Sequence, residues 1–302
     1  MRQLGWVGRQ GLWTVGLLVG FASVGWAAAT PPAPNCGDRD RSLLLQVLDQ
    51  MGRPDILLEE VAQFDPGRCL IGLVLDRQGL SGSLPSQMGQ FWQLRALSLS
   101  HNQLSGPIPP ELGQLNQLQH LFLDYNQFSG PIPPELGQLQ NLQGLFLDHN
   151  RLSGSIPPEL GQLRQLENLI LQNNQLSGSI PSQLSQMILL KGLFLDNNQL
   201  SGPIPAELGQ LYNLENLYLS GNNLSGSLPP ELGGLKRLRD LRLDRNQLTG
   251  ELPAFLAELP HLRRLRVQDN PGLCVPTTLL SWFSGLEEPV PTPTCSWEIS
   301  GE

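Results

Sequence analysis

Charge is scarce in this 302-residue chain: only 15% of its residues are Asp, Glu, Lys or Arg, against 40% hydrophobic. A chain this apolar is not disordered throughout. Basic residues are the scarcer sign, 19 against 27 acidic, which argues against general nucleic-acid binding. There are four cysteines, none in the Cys-x-x-Cys spacing that a zinc site needs. No phosphate-binding loop, serine–histidine–acid arrangement or paired metal motif stands out, so the chain carries no visible catalytic instrument and no cofactor is expected. Beyond residue 29 no apolar run is long enough to cross a membrane.

The first 29 residues read as a secretory signal. Arg2 and Arg9 give a positive start, an apolar stretch runs from Gly11 to Trp26, and Ala27-Ala28-Ala29 offers small residues for cleavage. The stretch is short for a bilayer span and is interrupted by glycines and Ser23, so cleavage is favoured over a retained anchor, with no stable membrane insertion afterwards. Removing Arg2 and Arg9 leaves 17 basic and 27 acidic residues, a net charge of −10. The expected destination is outside the cell or on its surface, or the periplasm of a bacterium. Cys36 and Cys69 stand before the central region and Cys274 and Cys295 after it. In an exported chain they read as disulfides tying two end caps.

The central region is a repeat. Asn102, Asn126, Asn150, Asn174, Asn198, Asn222, Asn246 and Asn270 are each 24 residues apart. One copy reads Leu94, Leu97, Leu99, Asn102, Leu104, Ser105, Gly106, Ile108, Pro109, Leu112, Gly113, Leu115, and an earlier degenerate copy begins at Leu70 with Gln78 in place of the asparagine. Nine units result. Leu97 and Leu99 flank Ser98 with the period-2 pattern of a short strand buried on one face. Strands of successive units should stack in parallel about 4.8 Å apart, giving an array about 40 Å long. Each asparagine turns the chain and satisfies backbone groups of neighbouring coils. Ser105-Gly106 is expected to form the next bend, and Pro109-Pro110-Glu111-Leu112-Gly113 one short helical turn on the outer side. Glu111, Glu135, Glu159, Glu207 and Glu231 recur there; the helix start explains them without a bound cation.

The string LxxLxLxxNxLSGxIPxxLGxL resembles the plant-type extracellular leucine-rich repeat found in receptor-kinase ectodomains and polygalacturonase-inhibiting proteins. The resemblance implies a right-handed α/β solenoid with a parallel sheet on its concave face and short helical turns on the convex face. It also implies a 30–69 N-terminal cap, repeats over 70–269 and a 270–302 C-terminal cap and tail. Asp40 to Leu48 is similar to that family's first cap helix, and Asn270-Pro271-Gly272-Leu273-Cys274 to its exit. The chain departs from the family in lacking its vicinal cysteine pair, its Trp-x-Gly-Val-x-Cys strand and any kinase segment. Its copies are also unusually uniform, Gly106–Leu115 matching Gly130–Leu139, which keeps a bacterial relative in view.

Function in such an array falls to the inner sheet face. Between the strand leucines stand Val74, Ser98, Phe122, Phe146, Ile170, Phe194, Tyr218, Arg242 and Arg266. Phe122 to Tyr218 form an apolar stripe on a face that should meet water, the mark of an interface. Two residues on runs a partly acidic ladder that includes Asp124, Asp148, Asp196 and Asp244. This pairing suits a protein or peptide ligand, with carbohydrate as a further class. Eight of the 17 basic residues fall between Lys236 and Arg266. Arg264-Leu265-Arg266 is shaped for a carboxylate, similar to the pair with which some plant receptor ectodomains hold a peptide C-terminus; the alternative is a charged end that pairs with Asp240, Asp244 and Asp269. His101 and His149 occupy equivalent inner positions with Tyr125 between them, roughly 10 Å apart and too far to share a metal directly. His120 faces inward one unit away. A ligand-free wall or surface scaffold is the alternative to a binding module. Asn223-Leu224-Ser225 is the single glycosylation sequon.

Overall fold

The computed structural model describes residues 36–287 and 294–295. The signal segment 1–29 and most of the tail lie outside these described residues. Every coil follows from the 24-residue frame. Its strand leucines are fully buried, Leu97, Leu99, Leu121, Leu123, Leu145 and Leu147 among them, and join one continuous core. Each such side chain removed from water is worth about 1.5–3 kcal/mol, which is why nearly all the leucines point one way.

The concave sheet has ten strands. Ala62–Phe64 pairs antiparallel with Leu70–Val74 at one edge. Nine parallel strands then follow in chain order, from Leu70–Val74 through Ala96–Ser98, His120–Phe122 and onward to Arg264–Arg266. Their register is the repeat itself: Leu121 faces Leu145 and Arg242 faces Arg266. The nine expected units are present.

A second parallel sheet, unanticipated by the sequence reading, runs along the flank. Its nine strands begin with Ser81–Ser83 and Gln103–Gly106 and end with Gly272–Cys274. Ser105-Gly106 is therefore the end of a strand as well as a bend; Gly106 closes it at φ +77°. The pairing arises from coil stacking, not from local preference, so no local pattern announced it.

On the convex side each coil makes one 3-10 turn, such as Pro110–Gln114 and Pro134–Gln138. In five of the turns, at Gly89, Gly113, Gly137, Gly161 and Gly209, the glycine is demanded by proximity. A Cβ on Gly113 or Gly137 would overlap the backbone carbonyl of Glu135 or Glu159 in the next coil. Coils five and eight carry Ser185 and Ala257 at this place.

The asparagine ladder is as expected. Asn246 Nδ2 donates to Leu219 O at 2.9 Å and Leu243 O at 3.0 Å, and its Oδ1 accepts from Leu224 N at 3.0 Å. At the N-terminal end the helix Arg39–Gln50 buries Leu44, Val47 and Leu48, spaced to share one face. Buried Asp40 accepts from the Leu70 amide at 2.9 Å. Cys36–Cys69 and Cys274–Cys295 form the two cap disulfides. The helix Leu280–Ser284 lays buried Phe283 over the last coil. Among the described residues no helix is long and apolar enough to cross a membrane.

Candidate ligand face

Alternation along each strand sends three side chains per coil onto the concave face. The middle row holds the apolar stripe. Phe122, Phe146, Ile170, Phe194 and Tyr218 are each only half-buried there, less exposed than the sequence pattern suggested, because they cover one another. The Phe122 and Phe146 rings stack at 4.4 Å, and Phe194 meets Tyr218 edge-on at 4.7 Å. Room for the rings comes from the row before. A Cβ on Gly144 would stand 2.6 Å from Phe146 Cε2, and one on Gly192 would overlap the Phe194 ring. Both phenylalanines lean back over the glycine two residues earlier on their own strand.

The acidic ladder is more occupied than its composition implied. Asp148 and Asp244 are buried, while Asp124 and Asp196 are half-buried. Asp76 accepts from the Ser98 hydroxyl at 2.6 Å and the Ser100 amide at 2.9 Å, and Asp124 from the Ser100 hydroxyl at 2.5 Å. Asp148 pairs with His149 Nδ1 at 2.8 Å. Asp244 takes the Ser220 hydroxyl and Arg245 Nε, the latter at 3.2 Å. Burial pushes the carboxyls of Asp124 and Asp148 above the usual range, and that of Asp196 up to about 6.

At the basic end Asp240, one of the carboxylates expected to pair there, is the centre of the cluster. Asp240, completely buried, gathers three donors: the Tyr218 hydroxyl at 2.8 Å, Arg242 Nη2 at 3.1 Å and Arg264 Nε at 2.9 Å. The Arg242 guanidinium also lies 3.9 Å over the Tyr218 ring. One edge of Arg264 is thus held by the protein's own carboxylate, as the charge-pairing alternative had it. Arg266 is half-buried beside Arg242. The visible signal was Asp240-Leu241-Arg242 set in register against Arg264-Leu265-Arg266.

A third feature lines the rim. His101, Tyr125 and His149 all have φ between 51° and 57°, which throws their rings outward from the turn. The three stack, with centroids 4.3 and 4.0 Å apart. Tyr125 therefore stands between the two histidines. His120 lies apart from them beside Phe122, where burial lowers its pKa. Among the described residues the one dense group of potential metal ligands is Cys36, Asp40 and Cys69. Its sulfurs are joined in a disulfide and its carboxylate caps Leu70, so it does not suit a cation.

Family models described as leucine-rich repeat region and Leucine Rich Repeat match residues 79–225 and 237–259. No curated protein matches the sequence. Among solved structures, the chain is similar to the ectodomain of the plant membrane receptor kinase GASSHO1/SCHENGEN3 from Arabidopsis thaliana in complex with CASPARIAN STRIP INTEGRITY FACTOR 2. That likeness has 36% identity and a TM-score of 0.74, over 78% of this chain and 30% of that one. The Arabidopsis receptor kinase HAESA ectodomain, bound to an N-terminally extended IDA peptide hormone, is 31% identical with a TM-score of 0.69, over 79% and 42%. A plant ice-binding protein is 29% identical with a TM-score of 0.65, over 87% of this chain and 99% of its own. The chain spans between 30% and 42% of the length of the first receptor ectodomains it matches.

Proposed function

Because the chain belongs to the leucine-rich-repeat proteins and carries the plant-type extracellular repeat, we propose that it is a secreted binding module that takes a peptide or protein on its concave face. The carrying observation is the half-buried stripe from Phe122 to Tyr218, apolar area left open between an acidic ladder and an arginine-rich end. Such area is costly in water and is recovered when a partner covers it. Receptor ectodomains with the same repeat hold peptide hormones, which supports the ligand class. An extended ligand would lay apolar side chains along coils three to seven and an acidic end or free C-terminus near Arg242 and Arg266. The faces of Phe122, Phe146, Tyr125 and His149 are spent on one another, which favours peptide over stacked sugar. An open curve without a deep pocket of paired acid and base makes catalysis a poor reading.

Panning a random phage-displayed peptide library on the purified protein at pH 7.5 tests this. Enriched peptides should lose affinity for Phe146→Ser and Phe194→Ser. Equal binding by both variants, or no enrichment, would sink the reading.

A second reading rests on the plant ice-binding protein, which this chain covers nearly whole. If ice is the partner, micromolar protein should slow recrystallisation in a frozen sucrose film. Unaltered grain growth would end that reading.

A further inference from the structure

We infer that Asp196 is the acceptor on which a ligand's N–H donor lands, the polar anchor of the concave face; the inference rests on the peptide-binding reading above. The acidic ladder supplies the contrast. Asp76, Asp124, Asp148 and Asp244 each hold a close donor from the protein itself. Asp196 does not. Its Oδ1 is buried with no hydrogen-bond partner, and its Oδ2 has one long contact, Asn197 Nδ2 at 3.5 Å.

The reason is in the neighbouring coils. Asp124 takes the hydroxyl of Ser100 in the coil before it, but the coil before Asp196 has Gln172 at that place. The coil after it has Ser220, whose hydroxyl is turned away to Asp244. An ionised carboxylate offers about four acceptor sites; the protein supplies this one with Asn197 Nδ2 and its own backbone amide and leaves the rest unfilled. Among the described residues the other buried side-chain acceptor without a partner is the neutral amide oxygen Gln268 Oε1. Asp196 is the charged one, and it stands two residues beyond Phe194, just past the end of the strand Gly192–Phe194, where the apolar stripe meets the arginines.

Its surroundings limit the donor. The charged groups that face Asp196 are Arg242, Arg245 and Asp244, all from the later coils. Arg245 is itself tied to Asn197 Oδ1 at 3.3 Å and to Asp244. The coil before presents neutral Gln172 and Asn173. A donor that avoids the guanidinium groups therefore approaches from the Ile170 side. Peptide amide, lysine ammonium and arginine guanidinium share the required chemistry. Burial holds the Asp196 carboxyl at about 6, so acidification removes its charge, leaves a weaker acceptor and loosens the ligand.

The test uses the phage-selected peptides on the full chain, with affinities measured at pH 7.5 and pH 5 for wild type, Asp196→Asn and the convex-face control Glu111→Gln. Expected is a loss of at least tenfold in Asp196→Asn at pH 7.5, none in Glu111→Gln, and a weakening at pH 5 that is present in wild type and absent in Asp196→Asn. Circular dichroism checks that Asp196→Asn is folded. If the peptides need Phe146 and Phe194 yet bind Asp196→Asn as tightly as wild type, the Asp196 assignment falls and the concave-face reading stands. If no peptide is enriched, both fall.

Discussion

The Tyr218 hydroxyl donates to Asp240 at 2.8 Å, and the carboxylate it meets is wholly removed from solvent. A buried charge must be balanced by donors. Tyr218 is the one neutral member of the set, with Arg242 and Arg264 completing it. Tyr218→Phe takes away a hydrogen bond to a charged group, worth about 1.5–3 kcal/mol, and urea denaturation should lose about that amount. Burial, followed by the bond to Asp240, pushes the Tyr218 phenol up to about 12. Ultraviolet titration of the native protein should therefore show one of its three tyrosines ionising well after the others. The late step should vanish in Tyr218→Phe; its persistence would refute the assignment.

Asp196 makes a prediction about stability that does not depend on any ligand. Its folded pKa is raised from 3.8 to about 6, chiefly by burial; its own backbone amide, Arg242 and Arg245 pull the other way more weakly. Between these values the folded chain binds a proton that the unfolded chain does not. Stability therefore rises as pH falls from 6 toward 4, and above pH 6 the ionised group costs the fold at most about 3 kcal/mol. Asp196→Asn should be more stable than wild type at pH 8, with the difference largely gone at pH 4. Urea midpoints at the two pH values check it, and a difference that does not change with pH would refute it.

The sequence displayed the array more fully than the site, for a physical reason. The asparagine frame is a local pattern repeated in phase, so Asn102 to Asn270 announce the coils, their order and the strand register. The flank sheet is made only when coils stack, and Ser105-Gly106 carries no trace of a partner strand. Alternation likewise told which way Phe146 and Phe194 point but not what covers them. The covering was nonetheless visible in the strings Gly144-Leu145-Phe146 and Gly192-Leu193-Phe194, where the missing side chain admits the ring. Asp240 was legible as a charge partner of the basic end but not as its buried centre, because the groups that meet it, Tyr218, Arg242 and Arg264, come from three successive strands.

Asn246 tests whether the ladder carries the array or merely decorates it. Its buried amide serves four backbone groups, Leu219 O and Leu224 N in the coil before and Leu243 O and Asp244 O in its own. Asn246→Ala orphans the Leu224 amide and removes one donor from each carbonyl. An unpaired buried group costs about 1–3 kcal/mol, so a loss of about 3 kcal/mol is expected in denaturant titration. Hydrogen exchange should speed first at Leu224, since a solenoid opens where neighbouring coils part. A variant as stable as wild type would show that water replaces the side chain without cost.

Gly137 and Ser185 occupy equivalent places in the convex turns of coils three and five, and the two should respond unequally to substitution. A Cβ on Gly137 would overlap the Glu159 carbonyl oxygen, and backbone cannot swing aside as a side chain can. Gly137→Ala must therefore push coil four away from coil three, breaking contacts in a close-packed core, at about 1–3 kcal/mol. The fifth coil already accommodates a Cβ at Ser185, which is buried. Ser185→Gly should accordingly change stability by less than about 1 kcal/mol, the backbone entropy of a glycine being the main cost. Melting temperatures of the two variants decide the matter. Equal losses would show that room for the next coil is not what the glycines provide, whereas a loss confined to Gly137→Ala means that they set the distance between coils.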